Sequence, residues 1–170
     1  MPRTKFIPAA FAILASCFPA GAAECSMEHA TYVEARSGAV LQFLPLPTDA
    51  SPSDNNIFTL TFPDAPELLT GDVAWTNGRR TIPYIAIRHT CSQEDIDMER
   101  QDGTSLCRLW DGTVYALLDG AADWIPDSTD PAPRGLLLPN FGDALIQWPG
   151  YYTVTDRPAW DSFKFQGCTQ

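Results

Sequence analysis

Residues 57–62 read IFTLTF, and two kinds of side chain alternate along this stretch. Successive side chains of an extended strand point to opposite faces, so Phe58, Leu60 and Phe62 would share one face. That face is aromatic and aliphatic, whereas the opposite face carries two threonines. The alternation predicts a β-strand that packs one face on a hydrophobic core, as the strands of antiparallel sheets commonly do.

Two β-hairpins are predicted, each formed around a short turn dipeptide. Asn77-Gly78 and Asp111-Gly112 each separate two β-rich segments, and both dipeptides favour two-residue turns whose twist matches paired strands. The paired segments would be residues 73–76 with 79–88, and residues 106–110 with 113–118.

A proline constrains one of these segments, residues 81–87. Because Pro83 lacks a backbone N–H, the strand either lies at a sheet edge or starts after this residue. The other strand candidates are residues 30–35, 39–44, 151–155 and 162–165.

Two short helices are predicted to interrupt the strands. Residues 92–101 begin with Ser92 and carry Asp95 three positions later, which is a capping-box arrangement. Residues 139–148 place apolar side chains at the spacing of a single helical stripe. Residues 120–135, rich in Asp, Pro and Ala, are predicted as a long surface loop. The expected fold is therefore mainly β, a single antiparallel sandwich or barrel-like domain with two short helices.

The first 23 residues have the three parts of a secretory signal. A positively charged start precedes a short apolar run, and small residues end the segment at Ala23. The apolar run, residues 6–15, is about half the length that a membrane-spanning helix needs, so no transmembrane segment is expected. Cleavage after Ala23 would release one domain, residues 24–170, into the periplasm or outside the cell.

The same segment allows a second route of maturation. Residues 14–17 read LASC, which resembles a bacterial lipobox. Cleavage before Cys17 and acylation of its thiol would produce a membrane-anchored lipoprotein instead of a released protein.

Four cysteines follow the predicted signal, an even number that indicates two disulfides in an exported chain. Two of them, Cys25 and Cys168, lie near the two ends of the remaining sequence, and Cys91 and Cys107 bracket one short segment. We predict the pairs Cys25–Cys168 and Cys91–Cys107. Spacing alone leaves Cys25–Cys91 with Cys107–Cys168 open.

The chain is acidic, with a net charge of −10, or −12 once residues 1–23 and their two cations are removed. This balance argues against binding to nucleic acid or to anionic lipid, both of which repel a negatively charged surface. It is compatible with a basic protein partner.

The sequence offers little for catalysis. It lacks a nucleophile elbow, a phosphate loop and a dinucleotide fingerprint, and we expect no cofactor and no metal. A zinc site would require Cys25 to meet Cys91 as thiols, so that His29 and His89 could converge on the ion. Carboxylates are abundant in residues 94–102 and 119–130, but nothing selects a catalytic pair, and we interpret both groups as solvated surface.

Aromatic residues in the second half of the chain are the remaining indication of function. Trp110 and Trp148 fit strand and helix patterns and are expected in the core. Trp124 and Tyr151 lie in loop or turn contexts, where an aromatic face can serve as a platform for a sugar ring or another small molecule. We therefore predict a ligand site near residues 120–135, with Trp124 and Tyr151 as its binding residues.

The sequence as a whole favours a non-enzymatic binding or interaction module of the cell envelope. Two alternatives stay open, an acidic inhibitor of a basic envelope enzyme and a small hydrolase that uses carboxylates.

Overall fold

The computed structural model describes residues 25–63, 65, 67–76, 82–93, 106–150, 157 and 159–169. These residues are mainly β, as predicted, and contain one short α-helix and one turn of 3₁₀ helix at Met27–His29. The strands are β1 (Ala30–Glu34), β2 (Val40–Leu44), β3 (Asp54–Thr61), β4 (Leu68–Trp75), β5 (Pro83–Thr90), β6 (Leu106–Thr113), β7 (Tyr115–Leu118), β8 (Ala121–Trp124), β9 (Gly135–Leu137) and β10 (Ser162–Cys168).

All ten strands belong to one antiparallel sheet that curls round on itself. The strand order is β6-β5-β4-β3-β2-β1-β10-β9-β7-β8. A single residue, Val114, joins β6 at one end of this order to β7, which lies one strand from the other end. Because one residue spans only about 3.5 Å, the two ends of the sheet must come together there. The fold is thus a curled antiparallel sheet of the predicted barrel-like kind.

The concave face of the sheet carries the hydrophobic core. Phe58 and Leu60 in β3 are buried, as their alternation predicted, and so is Phe62 immediately after the strand. Phe58 pairs with Gly71 of β4, and its ring covers the place where a Cβ of Gly71 would lie. The absence of a side chain at Gly71 is therefore what lets the Phe58 ring pack against the neighbouring strand.

The predicted helix within residues 139–148 forms at Phe141–Gln147 and is called α1. Its buried side chains include Phe141 and Leu145, which belong to the predicted stripe. The carboxylate of Asp161 accepts hydrogen bonds from the backbone N–H groups of Asn140 (2.8 Å) and Gly142 (2.9 Å), so it caps the start of α1. The other predicted helix, within residues 92–101, lies almost entirely outside the described residues, as does the predicted strand 151–155.

Both predicted disulfides are present. Cys25 pairs with Cys168 and Cys91 pairs with Cys107, with Cα–Cα distances of 6.0 Å and 4.9 Å. The first bond joins residues 143 positions apart and lies where β10 pairs with the beginning of β1. The alternative pairing, Cys25–Cys91 with Cys107–Cys168, is wrong.

The first predicted hairpin forms, and Pro83 is the first residue of its second strand. Strand β5 pairs with β4 and with β6, so it is an internal strand and not an edge strand. It starts at Pro83 itself, which is close to the alternative prediction that the strand starts after this residue. Because Pro83 is the first residue of the strand, its missing N–H removes no hydrogen bond from the rest of the β-ladder. The turn itself, with Asn77 and Gly78, lies outside the described residues.

The second predicted hairpin is wrong, because β6 continues through Asp111 and Gly112 without turning. Both residues pair with β5. A Cβ at Gly112 would lie 2.8 Å from the ring of Trp110, so this glycine serves close packing of an indole and not a turn. The two-residue turn that does form is Asp119-Gly120, between β7 and β8, where Gly120 has a φ of 84°.

Candidate functional site

Trp124 is the last residue of β8, a strand at the end of the sheet that pairs only with β7 among the described strands. All four residues of β8 are exposed, which corrects the prediction of a continuous loop over residues 120–135. Trp124 pairs with Tyr115 of β7, and the two rings stack with centroids 5.4 Å apart and planes 22° apart. The indole remains 41% exposed. Because Tyr115 covers one face of this ring, the exposed surface consists of the other face and the edge.

A groove of about 400 Å³ opens beside Trp124. This size falls within the usual range for small-molecule sites, about 300–1,000 Å³. The strand residues that line the groove, Ala116, Leu118 and Asp123, lie on the opposite face of the hairpin from the paired side chains of Tyr115 and Trp124. Trp124 therefore borders the groove at the end of β8, and its ring stacks on Tyr115 on the other face. The lining residues come from the β7–β8 hairpin and from the segment that follows it: Ala116, Leu118, Asp119, Asp123, Trp124, Pro126, Pro131, Ala132, Pro133 and Arg134.

The far wall of the groove is residues 125–134, a segment without regular strands that is nonetheless held along its length. Backbone hydrogen bonds join it to the 3₁₀ turn and to Cys25: Met27 N–H donates to Asp130 (2.9 Å), Glu28 N–H donates to Ser128 (2.9 Å), and Ala132 N–H donates to the Cys25 carbonyl (2.8 Å). Because Cys25 is itself bonded to Cys168, the disulfide fixes the segment to which the groove wall is attached.

Side chains from the core hold the same wall at both ends. At the first end, the amides of Asn55 and Asn56 donate to the Pro126 carbonyl at 3.2 Å and 3.0 Å. At the second end, the Tyr32 hydroxyl donates to the Pro133 carbonyl at 3.1 Å. Burial raises the pKa of Tyr32 well above its ordinary range, so this hydroxyl keeps its proton. The groove wall is therefore preformed.

The rim of the groove carries charged groups of both signs. The Nε of Arg134 lies 3.7 Å from the Oδ1 of Asp119, and both side chains are highly exposed. The backbone N–H of Trp124 donates to the Oδ1 of Asp123 at 2.7 Å. A smaller depression of about 220 Å³ adjoins the groove, shares Leu118, Asp119 and Arg134 with it, and adds Lys164. The Asp119–Arg134 pair thus stands between the two depressions.

A third depression, of about 630 Å³, lies beside α1 and is more polar. It is lined by Tyr115 on the far side of the aromatic stack, together with Asp111 and Asp143. Asp111 already contacts the Tyr84 hydroxyl and the Arg108 guanidinium. These contacts indicate that the depression is a solvated face of the sheet, where charged side chains already pair with one another.

Among the described residues, Glu34 is the one buried carboxylate. It accepts hydrogen bonds from the backbone N–H groups of Arg36 (2.9 Å) and Ser37 (2.7 Å), and from the Ser37 hydroxyl (2.6 Å). These bonds fix Glu34 in the turn between β1 and β2, away from the groove. The burial of this carboxylate is therefore explained by the turn that it holds together.

The other residues singled out by the sequence fall in different places. Trp110 and Trp148 are buried in the core, as expected. His89 is buried with its ring against Trp148, at a centroid distance of 4.9 Å. The zinc site considered above would require Cys25 to meet Cys91, and these two cysteines pair with Cys168 and Cys107 instead. Cys17, Tyr151 and all the carboxylates of residues 94–102 lie outside the described residues. The described residues contain no group of three side chains able to hold a metal ion.

Sequence reasoning missed Tyr115, the three prolines of the groove wall and the Asp119–Arg134 pair. Recognition of Asp119-Gly120 as a two-residue turn would have placed Tyr115 opposite Trp124. The prolines and Arg134 carry no periodic pattern, and only the folded chain brings them to the groove.

Comparison of the chain with protein-family models, with curated proteins and with solved structures finds no match. None of the helices in the described ranges has the length and apolar character that crossing a bilayer requires.

Proposed function

We propose that this protein is an exported, non-enzymatic binding module that takes a small ligand in the groove beside Trp124. The observation that carries the proposal is the groove itself, which Trp124 borders and whose wall is already fixed by hydrogen bonds. The indole of Trp124 lies on the other face of the same hairpin, stacked on Tyr115.

Preorganisation supports the same interpretation. Binding costs free energy when loops and side chains must be ordered, and a preformed site avoids much of that cost. Here the wall of the groove is held at Pro126 and Pro133 by buried side chains, and Tyr115 holds the indole. Leu118, which is 48% exposed, adds apolar surface on the strand side.

Export is supported by the two disulfides, because such bonds form and persist in oxidising compartments. The secretory signal predicted in residues 1–23 supports the same location. We propose that the protein works in the periplasm or outside the cell, with cleavage near Glu24 as the expected route and acylation of Cys17 as the alternative.

The test compares two exposed tryptophans. Trp160 is 50% exposed and packs under the Arg36 guanidinium, 3.7 Å from the ring centroid, so Trp160→Ala is a matched control for Trp124→Ala. The purified oxidised protein is titrated with neutral oligosaccharides, a proline-rich peptide and a basic protein while backbone amide resonances are recorded. At least one probe should shift the resonances of β7, β8 and residues 125–134, and Trp124→Ala alone should remove the shift.

Stability and turnover complete the test. Trp124→Ala should leave the melting temperature within a few degrees of the unmodified protein, because an exposed side chain contributes little to folding. Mass spectrometry of the bound oligosaccharide should show no cleavage. Binding that Trp124→Ala leaves unchanged, or the absence of binding by every probe, contradicts the proposed site, and cleavage of the oligosaccharide contradicts the non-enzymatic role.

A further inference from the structure

We infer that the depression of about 630 Å³ beside α1 is a second binding site, and that its ligand is a neutral sugar. The described residues that line this depression are all different from those that line the groove, so the inference goes beyond the proposed function. Three features carry it: two rows of polar side chains, an aromatic ring with a support behind it, and a wall that is already fixed.

One wall of the depression is a row of polar side chains along α1. Asn140, Asp143 and Gln147 line it and follow one another at intervals of three and four residues. Side chains with this spacing lie on one face of a helix. The buried side chains Phe141 and Leu145 occupy a different face, so the polar row is not needed for packing of the core.

The other wall is a row of side chains at the junction of β6 and β7. Asp111, Thr113 and Tyr115 line the depression and occupy alternate positions along the chain. Val114 is fully buried, so its neighbours Thr113 and Tyr115 point away from the core. A ligand between the two walls would therefore meet carboxylates, amides and hydroxyl groups together.

This mixture of polar groups suits a ligand that carries hydroxyl groups. A hydroxyl both donates and accepts hydrogen bonds, and the amides of Asn140 and Gln147 do the same. The carboxylate of Asp143 only accepts. A cationic ligand could use the acceptors but would leave the amide N–H groups without a partner, whereas a sugar can use both kinds of group.

The charge of the depression disfavours an anionic ligand. Its described lining residues include two carboxylates, Asp111 and Asp143, and no cation. Arg108 lies 3.5 Å from Asp111 and balances that charge, whereas Asp143 forms no ion pair with a described residue. Arg134 and Lys164 line the other two depressions. The site therefore retains about one negative charge.

Tyr115 supplies an aromatic surface against which the C–H face of a sugar ring can pack. Trp124 stacks on this ring with centroids 5.4 Å apart. The indole comes from β8, whereas Pro139 and α1 follow β9, which pairs with the other side of β7. Trp124 therefore supports the tyrosine ring from the side that lies away from the depression.

The helix wall is fixed before a ligand arrives. Asp161 accepts hydrogen bonds from the N–H groups of Asn140 and Gly142, and Phe141 packs edge-on against Trp110 with centroids 5.7 Å apart. Asn140 has a φ of 65°, a left-handed conformation that asparagine adopts more readily than most residues. A preformed wall avoids much of the free-energy cost of ordering the site on binding.

The experiment uses calorimetry and backbone amide resonances on the purified oxidised protein. The probes are β-1,4-linked glucose and N-acetylglucosamine oligomers, which are neutral, glucosamine oligomers, which are cationic, and galacturonate oligomers, which are anionic. All have the same lengths. At least one neutral series should bind more tightly than both charged series and should shift the resonances of residues 111–115 and 140–147.

Four variants assign the contacts. Asn140→Gly removes the amide and keeps a residue that accepts a left-handed backbone, and Gln147→Ala keeps a residue that favours the helix. Asp143→Asn removes the charge, and Tyr115→Leu removes the aromatic ring. Each change should weaken binding about three- to tenfold, the contribution of one hydrogen bond or one ring contact.

Two matched controls should leave the affinity unchanged. Ile146→Ala alters α1 at a residue that is 43% exposed and does not line the depression. Arg134→Gln alters the groove and not the depression beside α1.

Three outcomes overturn the inference in distinguishable ways. Tighter binding of a charged series than of both neutral series would refute the neutral ligand. Sugar binding that shifts only residues 125–134 and is weakened by Arg134→Gln would leave the proposed function standing and refute the second site. Failure of every series to bind, or binding that none of the four variants weakens, would also remove the second site and would leave the groove to its own test.

Discussion

The hydroxyl group of Tyr32 donates a hydrogen bond to the backbone carbonyl of Pro133 at 3.1 Å. Tyr32 is fully buried in β1, whereas Pro133 lines the groove. The bond connects residues 101 positions apart in the sequence and links the hydrophobic core directly to the wall of the proposed site. Changes at Tyr32 should therefore affect both stability and the shape of the groove.

Tyr32→Phe removes this hydroxyl and leaves the Pro133 carbonyl without its buried donor. We expect a loss of about 1–3 kcal/mol in the free energy of unfolding, the cost of an unsatisfied buried polar group. Urea denaturation measures this loss. Hydrogen exchange should show faster exchange of the Ala132 amide in Tyr32→Phe, and an unchanged exchange rate would contradict the link between Tyr32 and the groove wall.

Alkaline pH should destabilise the protein in a way that depends on Tyr32. Burial raises the pKa of Tyr32 in the folded protein above its ordinary value of 10.0. Above about pH 10, the unfolded chain loses this proton while the folded protein keeps it, so the free energy of unfolding falls, by at most about 1.4 kcal/mol per pH unit. Below that pH the contribution is fully present.

Tyr32→Phe is the control for this pH dependence, because it retains the other tyrosines. The difference in unfolding free energy between the unmodified protein and Tyr32→Phe should shrink between pH 10 and pH 11.5 in brief urea titrations. Parallel pH profiles for the two proteins would show that the Tyr32 hydroxyl does not titrate as burial predicts.

Removal of the Cys25–Cys168 disulfide should loosen the groove. The double change of Cys25 and Cys168 to Ala should cost about 2–5 kcal/mol of unfolding free energy, because the bond closes a long loop in the unfolded chain. It should also speed hydrogen exchange at Ala132, whose N–H donates to the Cys25 carbonyl.

The matched control removes the other disulfide, Cys91–Cys107, which closes a span of 16 residues. Its loss should lower stability by a smaller amount and leave the exchange of the Ala132 amide unchanged. Equal effects of the two double variants on Ala132 would indicate a general loss of stability instead of a local connection to the groove.

Gly71→Ala should destabilise the protein although the added group is a single methyl. A Cβ at this position would meet the ring of Phe58, so the ring or the strand must shift, at a cost of about 1–3 kcal/mol. Gly167→Ala in β10 is the comparison, because no heavy atom lies within 4 Å of the place where its Cβ would be. Thermal unfolding should show a clear loss for Gly71→Ala only, and similar melting temperatures for both would contradict the packing argument.

Local patterns predicted those parts of the fold that depend on neighbouring residues. Alternation over residues 57–62 reflects the burial of Phe58 and Leu60 directly, and the stripe in α1 reflects the burial of Phe141 and Leu145. The disulfide pairing also followed from the sequence, because an exported chain with four cysteines allows only three arrangements.

Glycine shows where local patterns mislead. Asp111-Gly112 and Asp119-Gly120 have the same residues, but only the second is a turn. The first glycine is required by the approach of the Trp110 ring, a contact that sequence spacing does not reveal. The groove was beyond prediction for a related reason, since its wall acquires its shape from bonds to Cys25, Asn55 and Tyr32, all distant in sequence.

The pairing of β1 with β10 determines when the sheet can be completed. Strand β1 has β2 on one side, only a few residues away, but its other partner lies more than a hundred residues later in the chain. Contacts of such high sequence separation slow folding, because a long segment must be ordered before they form. While the chain is still emerging, β1 presents an unpaired edge to other extended chains, which is a hazard for aggregation. Cys25 and Cys168 come together where β10 pairs with β1. The time at which this disulfide forms therefore reports when the sheet is completed.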